Sequence, residues 1–166
     1  MSSLSRIQIL VREIRNAHDG DPWHGPSLSA ILNDVDAKLA AARPIASAHT
    51  IWEIVLHITS WTREVTHRLK GAPPSEPADG DWPPVLRVNA DGWSEALEDL
   101  RVAHEDLCLA IEEFPEDRLD SRVGESRDAP LGTGASYEAT IHGVAQHDAY
   151  HGGQISLLKK ASLKKP

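Results

Sequence analysis

His147 and His151 stand four residues apart, in a segment with helical periodicity. At that spacing two imidazoles share one helix face, one turn apart, and both can reach a single ion. Imidazole is the commonest protein ligand for metals and the side chain that titrates near neutral pH. Nine histidines in 166 residues mean that such a pair also arises by chance. Position adds to spacing, because His151 lies near the middle of the segment's apolar stripe and His147 at its edge. Asp148 falls on the same stripe. A lone carboxylate there costs several kcal/mol unless it is paired or hydrogen-bonded. Ligating histidines usually give their second N–H to a carboxylate or carbonyl, so Asp148 is expected to orient a ligand. The alternatives are a bundle end in water, or an arginine partner.

His147-Asp-Ala-Tyr-His151 approaches H-E-x-x-H, but aspartate replaces the glutamate and the rest of a zincin signature is missing. A P-loop, a G-x-S-x-G elbow and a C-x-x-C are absent too. A third ligand has to come from another helix. His57 is the best placed, flanking the stripe of Ile54, Ile58 and Trp61; His67, His104 and His142 are the alternatives. Glu53 and Glu64 lie on the same side as His57, as ligands or as acid and base. Tyr150 falls opposite the stripe. Cys108 reads as a small core residue.

Four long amphipathic segments have to carry these residues. Leu4–His18 has Ile7, Leu10, Val11, Ile14 and Ala17 at helical spacing. A second helix starts at Thr50-Ile-Trp-Glu53, an S/T-x-x-E capping box, and stops at Gly71. Residues 71–84 hold five prolines and form a loop. A third helix spans about 91–113 and a fourth about 136–160, with a polar, glycine-rich stretch over 116–134 between them. Short helices are expected at about 28–32 and 34–42. No strand pattern intervenes, so the expected fold is one all-α domain over residues 1–166. It is a four-helix bundle with short extra helices in the first long connection. Long connections leave the bundle order open.

Composition narrows the partners. The balance of 17 basic and 25 acidic residues, net −8, argues against nucleic acid, whose phosphates require clustered Lys and Arg. Lys159, Lys160, Lys164 and Lys165 are the one basic cluster, read as complementing a helix C-terminus. No window approaches a membrane span. Met1-Ser-Ser-Leu-Ser-Arg6 lacks the marks of a signal peptide, and Cys108 is alone, so the expected location is the cytoplasm.

The stretch Ile141-His-Gly-Val-Ala-Gln-His147-Asp-Ala-Tyr-His151-Gly-Gly-Gln-Ile155 resembles the last helix of the DinB/YfiT-like superfamily. Ser47-Ala-His-Thr-Ile-Trp-Glu-Ile-Val-Leu-His57-Ile resembles that family's second helix, and Trp23-His-Gly-Pro-Ser27 with Ala42-Arg-Pro44 its first connection. The resemblance implies a four-helix bundle, often dimeric, with a zinc or nickel ion held by His57, His147 and His151. It also implies chemistry on small molecules. Characterised relatives include transferases and isomerases that use low-molecular-weight thiols, and others are described as metal-dependent hydrolases.

The first functional expectation is therefore a metalloenzyme that activates a thiol or a water, with thiol transfer slightly favoured. Glu53 and Asp148 are its candidate acid, base or orienting groups. Trp23, His24 and Trp61 are its candidate substrate contacts. The second is a non-catalytic dimeric stress-response or binding module with a structural or vacant metal site. A fourth protein ligand would favour the second.

Overall fold

The computed structural model describes residues 4–128 and 130–163. Lys164 and Lys165 of the basic cluster lie outside these. Among the described residues six α-helices follow one another: α1 (Arg6–His18), α2 (Leu28–Leu32), α3 (Ala37–Ala41), α4 (Ile51–Leu69), α5 (Ala90–Glu112) and α6 (Tyr137–Leu163). A 3-10 turn at Glu116–Arg118 precedes α6. Among the described residues there is no strand beyond a single bridge between Arg122 and Ser136.

Helix starts follow local side-chain chemistry. The Thr50 hydroxyl accepts from Glu53 N at 3.1 Å while the Glu53 carboxylate accepts from Thr50 N at 2.7 Å, completing the expected capping box. Ser5 and Gln8 form a second capping box, which starts α1 two residues later than its periodicity suggested. Asp36 caps α3 through Leu39 N and Asn89 caps α5 through Gly92 N.

The long helices α1, α4, α5 and α6 form the bundle. Each of α1 and α4 packs on both α5 and α6, so the cyclic order is α1–α5–α4–α6; the α1–α4 and α5–α6 connections cross diagonals, and the α4–α5 connection joins neighbours. The short helices α2 and α3 cap one end, against α6, α4 and α5. Trp52 faces this extension rather than solvent. It meets Trp93 edge-on at 5.1 Å, and the Trp93 indole donates to Val35 O at 2.7 Å.

The apolar core divides in two. One cluster holds Leu10, Ile14, Leu69, Leu107, Ile111 and Ile141. The other holds Leu28, Ile51, Ile58, Trp93, Leu100 and Ile155. Burying one such side chain is worth about 1.5–3 kcal/mol. Near the boundary, each long helix contributes histidine: His18, His57, His104, and the pair His147 and His151. Lys159, expected only to complement the α6 terminus, donates to Ile31 O at 2.6 Å and pairs with Asp34, tying α6 to the connection between α2 and α3.

Candidate metal centre

α4 and α6 pack against each other and bring three imidazoles together. His57 Nε2 lies 3.0 Å from His147 Nε2, and His151 Nε2 lies 3.0 Å from the same atom. The rings cross at 53°, 73° and 86°, so their nitrogens converge from different directions. Hydrogen bonding sets two of the tautomers. His57 Nδ1 donates to the Asp81 carbonyl at 2.6 Å, and His151 Nδ1 donates to Gln154 Oε1 at 2.7 Å. Each is left with a lone pair on Nε2. A proton on His147 Nε2 satisfies one of its two contacts and leaves the other ring's lone pair without a donor. A divalent cation satisfies all three donors at once. Three neutral imidazoles are a donor set suited to zinc or nickel.

The proline-rich segment supplies the support. Gly80, at φ +87°, turns the chain where other residues would be strained. Ser60 Oγ donates to Gly80 O at 2.7 Å, and the Trp61 indole donates to Asp81 Oδ1 at 2.7 Å. Trp82 stacks on His57 at 3.9 Å and on His49 at 3.5 Å. Burial is the main cause that lowers all three histidines. His147 is pushed down to about 3, with the neighbouring His151 and His57 adding to the effect. Protons therefore compete weakly for the nitrogens at neutral pH. Gln154→Ala frees the His151 ring and is expected to weaken zinc affinity by about tenfold. Competition against a chromogenic chelator measures this, and an unchanged affinity would show that Gln154 does not hold the ligand.

Asp148 does not orient these histidines. Its carboxylate faces His104, with Oδ2 2.8 Å from Nε2, in a second buried trio with His18. His104 Nδ1 points at Leu100 O at 3.0 Å, so both nitrogens face acceptors and the doubly protonated ring satisfies both. Burial pulls the His104 pKa down, but the Asp148 charge and hydrogen bond outweigh it and leave it raised. His18 stacks on His104 at 3.8 Å and 15°. Parallel rings send their lone pairs side by side, not to one point. This trio reads as a buried imidazolium–carboxylate pair rather than a metal site.

His18 itself is pushed down to about 3, by burial first and then by the charge of His104. Between pH 6.5 and about 3 the unfolded chain binds a proton there that the folded chain does not. Stability attributable to His18 is therefore complete above pH 6.5 and falls as pH falls, by at most about 1.4 kcal/mol per pH unit. His18→Phe is expected to flatten the acid limb of a pH series of urea unfolding curves. Parallel slopes in both proteins would show that the ring is not held neutral.

Residues 23–155 match the family model of the DinB superfamily. The chain belongs to the DinB superfamily. No curated protein and no solved structure matches it. No helix among the described residues is long and apolar enough to cross a membrane.

In this DinB-superfamily chain the other candidate residues scatter. Glu53 is occupied by the helix cap and by Arg43, whose Nη2 donates to both carboxylate oxygens at 2.8 and 2.9 Å. Glu64 is buried in an ion pair with Arg68 at 2.9 Å, so it is neither ligand nor base. Trp23 is fully exposed, and it lines with His24 a cleft between α1 and α6 that does not include the three converging histidines. Tyr150 points outward. Cys108 is buried and its thiol is pushed up to about 11 by desolvation, which suits a core residue and not a nucleophile. Trp61 alone of the expected substrate contacts adjoins the trio. It lines a cavity of about 330 Å³ that ends at His147. Asp81, Trp82 and Gln154 were missed from sequence. Only Gln154 carried a signal, three residues after His151 on the same helix.

Proposed function

We propose that this DinB-superfamily chain is a metal-dependent enzyme that holds zinc or nickel through His57, His147 and His151. Its reaction delivers a small nucleophile to an electrophilic small molecule. Low-molecular-weight thiol transfer is the first choice and hydrolysis the second. One observation carries the reading: three imidazole nitrogens converge, and among the described residues no fourth His, Cys, Asp or Glu ligand atom lies within 4.8 Å of all three, the Asp81 carboxylate lying instead 3.2 Å from His57 Nδ1. Structural zinc sites close with four protein ligands, whereas catalytic sites keep three.

When bound, the divalent cation supplies the Lewis acidity that generates a thiolate or hydroxide at neutral pH. The chain's own residues do the rest. Asp81 and Gln154 hold two rings in the ligating tautomer, and burial keeps the nitrogens unprotonated. Trp82 covers one face of His57 and keeps water from it. His147 borders the adjoining cavity. We place the protein in the cytoplasm as a homodimer. The exposed Tyr150 and Leu157 on α6 supply apolar surface for that contact.

The test is turnover by tag-free chain reconstituted with zinc or nickel. Bacillithiol, mycothiol and glutathione are offered with small electrophiles, in parallel with neutral esters. The expected result is metal-dependent turnover that disappears in His147→Ala. A fully metal-loaded chain that turns over none of them would favour a non-catalytic module.

A further inference from the structure

The cavity beside His147 lies between α4, α6 and the chain over residues 130–135. Its walls are mostly apolar, and nearly every polar side chain in them is already committed. The Trp61 indole donates to Asp81, and the Thr140 hydroxyl donates to Ser136 O at 2.9 Å. Arg68 donates to Glu64, to Leu131 O at 2.8 Å and to Ser75 O at 3.1 Å. Apart from His147, Thr62 is the exception. It is 1 % exposed, and its hydroxyl has no protein partner but is itself shut off from the cavity. The neighbouring threonines show what it forgoes: Thr59 and Thr66 each donate to the carbonyl four residues back, at 2.9 Å. A buried hydroxyl without a partner costs about 1–3 kcal/mol.

Gly143 is the second unexplained feature. It sits inside α6, one turn before His147, with no positive φ, and a Cβ built on it meets nothing within 4 Å. Glycine inside a helix costs about 0.5–1 kcal/mol against alanine. No backbone strain or close packing offsets that cost here. What the glycine provides is room in the cavity wall.

From these we infer that the cavity binds the uncharged, largely apolar part of the electrophilic substrate. The inference rests on the enzymatic reading above and adds the substrate class. A volume of about 330 Å³ is roughly twice the ~150 Å³ that admits benzene, enough for on the order of ten heavy atoms. Away from the His147 end, where a bound cation would carry the charge, no free charge in the wall offsets the desolvation of an ionic group. A carboxylate-bearing thiol therefore approaches from elsewhere, and the cavity takes its reaction partner.

A matched pair of fluorescent probes tests this on the chain with and without metal, so that attraction of a charged probe to the cation is read separately. N-phenyl-1-naphthylamine is neutral, and 1-anilinonaphthalene-8-sulfonate is the same aromatic framework with a charge. The neutral probe is expected to bind more tightly by about tenfold. Gly143→Leu fills the space and is expected to weaken neutral-probe binding by about tenfold. Equal binding of the two probes to the metal-free chain, or neutral-probe binding unaffected by Gly143→Leu, would overturn the inference. Zinc uptake is read separately on every variant. Its absence from the wild-type chain would remove the enzymatic reading while leaving the cavity result to stand or fall by itself.

Discussion

Chain stripped of metal and titrated with zinc or nickel is expected to take up one ion, and His57→Ala or His147→Ala is expected to lower the affinity by about 10²–10³-fold. The size follows from the donor set. Three nitrogens within 4.8 Å of one another share the ion, so each removal deletes about a third of the bonding while the remaining pair stays in place. The fold should survive, since the apolar clusters on either side do not depend on the trio. Zinc at about a hundred times its dissociation constant should stabilise the wild-type chain by about 2.7 kcal/mol, and the variants by far less at the same concentration. His104→Gln is the control. It touches the other buried trio and should leave uptake at one ion per chain. Wild-type uptake by His147→Ala would show that the converging nitrogens are not the binding site.

The helices were legible because each carries its own instructions. Apolar spacing marks α1, α4, α5 and α6, and the capping box at Thr50 and Glu53 marks where α4 begins. The interruption of those stripes by histidine was legible as well, and the resemblance drew His57 into one set with His147 and His151. What failed to show was pairing across helices. Asp148 on an apolar stripe announces that some partner exists, but not that the partner is His104 on α5. Glu53 illustrates a different loss. Its cap was read correctly, yet a carboxylate spent on a helix start is not free for catalysis, and the sequence offered both roles. Asp81 and Trp82 lie in a proline-rich segment without periodicity. Their place beside His57 depends on the turn at Gly80 and on bonds to Ser60 and Trp61 that no local pattern encodes.

Arg68→Met is expected to destabilise the protein by about 3–5 kcal/mol, the largest stability loss predicted for a residue outside the apolar clusters. Arg68 and Glu64 sit one turn apart on α4, at 2 % and 4 % exposure, so neither charge reaches water. Removing the guanidinium leaves the Glu64 carboxylate buried with only Ser75 N and Oγ as donors, at 2.9 and 3.3 Å. It also removes the donors to Ser75 O and Leu131 O, which hold two separate loops against α4. The double variant Glu64→Leu/Arg68→Met deletes both charges at similar volume and should recover much of the loss, because no buried charge is left unpaired. Urea unfolding of the wild type, both single variants and the double variant closes the cycle. A double variant as unstable as the sum of the singles would mean that the pair contributes through its loop contacts and not through its charges. The loop over residues 130–135 walls the cavity beside His147, so the cycle bears on function too. If Arg68 holds that wall in place, the double variant should regain stability and still bind the neutral probe less tightly than the wild type.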